Sequence, residues 1–348
     1  MTNIPEDDLR EPPVAPAMAP DEARVAPPFD MDEQPSDADM PLAESAAASA
    51  PQPPAVTELQ PSIPERPLFQ SYMEPPVRRP VRIPHFGHLM LLVLLILVAL
   101  GILALALGLA SHFHLFGWHL SAKAATDVGL NLISEIVLYF VTFGFGLIAF
   151  PLLWNEGYFQ GLQWRADVLR SRFRVLEATA FTCFGLAILD QIVMPGPANA
   201  PIEKMIQSPG AAWMMFAFGI SLAPFFEEML FRGFLLPALC TACDWAAESI
   251  KGTLPRPLDA SGHPRWSAPA MIIGSIAASI PFALLHVAQQ GHSIGPFLLL
   301  IVISLILCAV RLTTRSLAAS TLVHASYNFL IFFVELIATG GFRHFDKM

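Results

Sequence analysis

Seven runs of apolar residues dominate the chain, at about 87–112, 129–154, 174–194, 211–240, 268–289, 294–310 and 316–338. Each approaches or meets the roughly 20 helical residues that a hydrocarbon core of about 30 Å requires. Several connections are polar or rich in turn formers: PGPANAPIEK after the third run, KGTLPRPLDASGHPRW after the fourth and QQGHS after the fifth. The predicted fold class is all-α, a polytopic transmembrane helix bundle of about seven spans.

The first 83 residues do not follow this pattern. Residues 1–86 hold 15 acids against 6 arginines and 19 of the 32 prolines, whereas residues 87–348 balance 14 acids with 14 bases. A segment so charged, with few aromatics, buries too little apolar surface to offset the entropy of ordering. Residues 1–83 are therefore expected to be a disordered, acidic, proline-rich cytoplasmic tail, and residues 84–345 a transmembrane helical domain. A mean hydropathy of +0.53, with 54% hydrophobic and 14% charged residues, sets the chain apart from soluble domains. Its formal charge of −9 belongs to the tail, so the lipid bilayer is an expected partner and nucleic acid is not.

The opening MTNIPEDDLREPP lacks the basic and apolar regions of a secretory signal, leaving the first span as the targeting signal. With the N-terminus cytoplasmic, inner segments carry twelve cations (Arg78, Arg79 and Arg82 in the tail, then nine between Arg165 and Arg315), and outer segments carry only Lys123, Lys204, Arg343 and Lys347. This positive-inside bias predicts a multi-pass protein of the cell (inner) membrane with its C-terminus outside. Cys183, Cys308 and the Cys240/Cys243 pair are expected as small buried residues, since one CxxC without a second ligand pair is a weak metal signal.

The fourth run contains FFEEMLFRG, residues 225–233, which places two carboxylates and a guanidinium where lipid contact costs roughly 2.5–3.5 kcal/mol for each charge. These groups must face protein or water. Glu228 and Arg232 are i and i+4, the orientation in which an acid and a base pair across a turn. Glu227 lies on a different bearing, five residues from Arg232, and is the free carboxylate: a candidate general base. Two further runs carry matching chemistry. Phe282 and His286 lie four apart on the fifth, and His324 and Asn328 four apart on the seventh. Intramembrane imidazoles and amides require partners, so Glu227, His286, His324 and Asn328 are expected to converge in one polar cavity.

EEMLFR from Glu227, FALLH from Phe282 and HASYN from His324 resemble, in order and completeness, the EExxxR, FxxxH and HxxxN motifs of the CPBP intramembrane proteases. That family groups type II CAAX prenyl endopeptidases of the Ras-converting type with bacteriocin-processing and immunity proteins. The resemblance covers about residues 211–335. It implies an intramembrane endopeptidase acting on a membrane-associated protein or peptide substrate, lipidated in the best-understood relatives. By the same resemblance Glu227 and His286 activate water, His324 and Asn328 hold it or stabilise the oxyanion, and Glu228, Arg232 and Phe282 support them.

Glu227, His286 and His324 also make a three-ligand set suited to zinc with an open position for water, although similar residues act without metal. The alternative readings are a non-catalytic scaffold or immunity protein of the same fold, and a proton-coupled carrier that titrates Glu227. Depth is the difficulty. His286 lies about eight residues, or about 12 Å, beyond the centre of its run, so convergence requires a kink at Pro281 or a helix that continues past Gln289.

Overall fold

The structure, a computed structural model, describes residues 83–114, 127–197, 209–259 and 263–343. The tail expected over 1–83 lies, apart from Ile83, outside the described residues. Among the described residues, seven helices are long and apolar enough to cross a membrane. They are α1 (Phe86–His112), α2 (Val128–Trp154), α5 (Phe173–Val193), α6 (Pro209–Lys251), α7 (Ala268–Val287), α8 (Ile294–Thr314) and α9 (Leu317–Ala338). Two short helices, α3 (Tyr158–Gly161) and α4 (Asp167–Ser171), join α2 to α5. The described residues contain no strand, only an isolated bridge between Leu258 and Pro264. This is a multi-pass membrane protein with an all-α bundle.

Caps explain where several helices begin. The Asp127 carboxylate accepts the Leu130 N–H at 2.8 Å, and Ser267 and Ser316 accept the Ala270 and Ala319 N–H groups at 3.2 Å. Asp244 in turn fixes Ser267, through its N–H at 2.9 Å and its hydroxyl at 2.6 Å. The start of α7 is thereby bound to the end of α6.

The main departure from the expected spans is α6. It extends to 43 residues and is not uniform: α-helix to Ile220, a break at Ser221, α-helix over Leu222–Glu228, a π-helical stretch over Met229–Leu235, then α-helix again. In the π stretch the Leu236 N–H reaches back five residues to the Phe231 carbonyl. Such a turn accommodates an extra residue and reduces the rotation per residue.

Packing around α6 uses small side chains, as expected where lipid supplies no hydrophobic drive between helices. Leu236 and Cys240 of α6 meet Ala278 of α7 and Cys308 of α8. Gly274 brings α7 so close that a Cβ there would lie 2.7 Å from the Cys240 sulfur and 3.3 Å from its backbone nitrogen. Helices α1 and α2 cover another side of α6 through Leu89, Leu92, Phe150 and Trp154. Helix α9 packs on α5 and α8 through Ala319, Val323 and Tyr327.

Gly274→Val is expected to force α6 and α7 apart at a cost of about 1–3 kcal/mol. The thermal midpoint of purified protein in detergent should fall by several degrees, whereas Gly185→Val, where a Cβ meets nothing within 4 Å, should leave it nearly unchanged. Equal midpoints for the two variants would refute the close-approach account.

Candidate active site

The α6 break and π stretch bracket the carboxylates. Glu228 and Arg232 are fully buried and paired, Nη1 to Oε1 at 2.9 Å, as the i,i+4 spacing predicts. Glu227 makes no ion pair with Arg232 among the described residues, in keeping with its different bearing on the helix, although the guanidinium acts at Coulombic range on both carboxylates.

Arg232 is held from three other directions. Its Nη2 donates to the Ser304 hydroxyl at 2.8 Å and to the Ser304 carbonyl at 3.1 Å, and its guanidinium carbon lies 4.5 Å from the Phe282 ring centroid. Phe282 thus supports the ion pair by a cation–π contact as well as by packing. Ser304 does not stand out in the sequence. Its only signal is a hydroxyl in the otherwise apolar run IVISLILCAV.

The two histidines approach Glu227 from opposite helices. His286 Nε2 lies 3.8 Å from Glu227 Oε1, and His324 Nε2 lies 3.8 Å from Glu227 Oε2. Their other ring nitrogens are engaged: His286 Nδ1 contacts the Phe282 carbonyl at 2.9 Å and His324 Nδ1 contacts Glu228 Oε1 at 3.1 Å. A carbonyl only accepts, so His286 Nδ1 carries the hydrogen, and the Glu228 carboxylate favours the same tautomer in His324. Both rings therefore present Nε2 to Glu227. Glu228 is fully buried and His324 nearly so, but Glu227 and His286 remain about one-fifth exposed. The cluster opens on one side.

Asn328 is placed differently. Its Nδ2 donates to the Gly219 carbonyl at 2.8 Å, which ties α9 to the last turn before the α6 break.

Of the two solutions to the depth problem, the longer helix is not used: α7 stays helical through Pro281 and stops at Val287, one residue after His286. Glu227 lies 18 residues into α6, beyond the break at Ser221, and meets the tip of α7, with His286 Nε2 at 3.8 Å.

Helix α2 contributes a polar pair, Glu135 and Tyr139. The Tyr139 hydroxyl donates to Glu135 Oε1 at 2.8 Å, and the Tyr139 ring packs 4.6 Å from Phe226. Both residues are within Coulombic reach of Glu227, and Glu135 also of His286.

Residues 209–330 match the family model described as type II CAAX prenyl endopeptidase Rce1-like. The match agrees with the resemblance carried by the three motifs and with the expected core at 211–335. It runs from the first residue of α6 past Asn328, and leaves α1, α2 and α5 outside the Rce1-like segment. No curated protein and no solved structure matches the chain.

The expected zinc ligands are Glu227, His286 and His324, and their tautomers suit a cation. Tetrahedral ligands at about 2.0–2.1 Å from zinc lie about 3.3 Å from one another, and the two approaches here are 3.8 Å. Among the described residues no group of three or more His, Cys, Asp or Glu side chains is set to hold a metal ion.

Arg232→Gln should destabilise the protein by about 3–5 kcal/mol, because it strands the Glu228 carboxylate in the interior. The combined Glu228→Gln and Arg232→Met replacement should recover much of that loss, as removing both partners leaves no buried charge. Unfolding in mixed detergent reads the order of the two, and the reverse order would contradict the account.

Proposed function

We propose that the protein is an intramembrane endopeptidase of the CAAX prenyl protease type. Its substrate is a membrane-associated protein or peptide, lipidated or not. The observation carrying this reading is the placement of one partly exposed carboxylate between two imidazole Nε2 atoms at 3.8 Å each, within the Rce1-like segment. The proposed reaction is amide hydrolysis.

A water held among Glu227, His286 and His324 gives a proton to Glu227 as its oxygen adds to the scissile carbonyl carbon. The same proton then passes to the departing amine nitrogen as the C–N bond breaks, so Glu227 ends as it began. The Glu228 carboxylate on Nδ1 holds the His324 ring with Nε2 towards Glu227, beside the water and the developing oxyanion. Asn328 holds the Gly219 carbonyl with one N–H and has a second for the same oxyanion. Glu228 and Arg232 are positioning residues, and Phe282 orients His286 through its carbonyl. No step is routed through a metal.

Orientation follows from charge. At the end formed by α3, α4 and the α6–α7 connection lie Arg165, Arg170, Arg172, Arg174, Lys251, Arg256, Arg265, Arg311 and Arg315, whereas the described residues of the opposite end carry Arg343. The positive-inside bias supports a reading in which the first end faces the cytoplasm at the cell (inner) membrane and the C-terminus lies outside.

The test is cleavage of prenylated and unprenylated membrane peptides by the full chain in proteoliposomes. Glu227→Gln should lower turnover by about 10²–10⁴-fold, with unchanged folding, and His324→Ala by a comparable factor. Equal cleavage by wild type and both variants would remove the proposed site. Folded wild type without activity would favour a scaffold, and proton-driven uptake a carrier. Activity lost to a chelator and restored by zinc would assign water activation to a metal held by Glu227, His286 and His324.

A further inference from the structure

At the basic end, on the far side of Arg232 from Glu227 and the histidines, two cavities of about 400 and 430 Å³ share Gln163 and Arg315. Arg311 and Arg265 line the first with Trp266, and Arg165 lines the second with Trp164. None of the proposed catalytic residues lines either cavity.

The charges do not cancel. Arg315 pairs with Asp259, and Arg165 pairs with Asp167 at 3.0 Å. Arg311 is 2% exposed, and among the described residues no carboxylate lies within ion-pair distance of it. Its Nε and Nη2 donate to the Arg232 and Leu162 carbonyls at 3.3 Å, while Nη1 has no hydrogen-bond partner among the described residues. Arg265, exposed at the mouth, likewise has no carboxylate partner among the described residues. His263 adds no charge, since burial holds its imidazole below the ordinary value. A buried guanidinium carries a desolvation cost that a neighbouring anion offsets. Two cations with no carboxylate at ion-pair distance among the described residues, both lining a cavity, thus point to an anionic ligand.

Location narrows the class. Trp164 and Trp266 stand at the helix ends, where tryptophan marks the membrane interface and lipid phosphates reside. Met271 lines the first cavity, and the residues after it on α7, Ile272, Ile273 and Ile276, are all more than half exposed. An apolar stripe thus runs from the cavity mouth along the bundle. A free anion has no use for that stripe, but an acyl chain does.

We propose that this cavity pair binds the phosphate of an anionic phospholipid, with Arg311 at the floor, Arg265 at the mouth and an acyl chain along Ile272–Ile276 of α7. Arginine suits phosphate oxygens through its forked donors. The site is independent of the peptidase reading.

Native mass spectrometry of the full chain in mild detergent tests this, with phosphatidylglycerol, phosphatidylcholine of the same acyl chains, and inorganic phosphate as probes. Wild type should retain phosphatidylglycerol at concentrations at least tenfold below those needed for phosphatidylcholine. Arg265→Glu, a surface change that leaves the fold intact, should reduce that preference at least fivefold. Arg311→Lys keeps a charge but loses the fork, and should also weaken it. Equal retention of the two lipids, or a preference unchanged in both variants, overturns the proposal. Inorganic phosphate displacing phosphatidylglycerol at equal concentration would assign the pocket to a free anion and overturn the lipid source.

Discussion

A fully buried ion pair inside a membrane helix organises everything around it. Glu228 and Arg232 are both inaccessible, and removing two charges from water is costly unless each finds further partners. Arg232 finds Ser304 on α8 and the Phe282 ring on α7, and Glu228 finds His324 on α9. The electrostatic demand of one pair on α6 therefore ties α7, α8 and α9 to it. It also sets chemistry, since the carboxylate that satisfies Arg232 selects the His324 tautomer that turns Nε2 towards Glu227.

The same logic extends to the basic end. Arg311 of α8 donates to the Arg232 carbonyl on α6 and to the Leu162 carbonyl in the connection between α2 and α5. The Leu317 N–H and the Ser316 hydroxyl take the neighbouring Gln163 and Arg165 carbonyls at 3.0 and 2.8 Å. Irregular backbone at the edge of a membrane is tolerated only where its polar groups are satisfied, and here the start of α9 and one arginine satisfy them. The interior ion pair is thus supported from below by a second, cationic layer.

Glu227 lies within α6 and His286 at the end of α7, and the two meet at 3.8 Å where the α7–α8 turn begins. Closure on that side involves α2, whose Tyr139 lies against Phe226, the residue before Glu227. Helix α2 is outside the Rce1-like segment, so the surroundings of the site draw on parts of the chain that the family match does not cover.

Spans, the EExxxR, FxxxH and HxxxN residues and the Glu228–Arg232 pair were legible in the sequence, because lipid imposes a length on apolar helices and i,i+4 spacing puts side chains on one face. Those constraints act within one helix and require no neighbour. What lies between helices was not legible: Ser304 as the second partner of Arg232, Asn328 on the Gly219 carbonyl, and Glu135 near the cluster. Depth was misjudged for the same reason, since helix centres do not fix how far one helix slides along another. Relative height and rotation are decided by close approaches such as Gly274 on Cys240 and by the search of buried charges for partners, and both exist only once the helices are assembled.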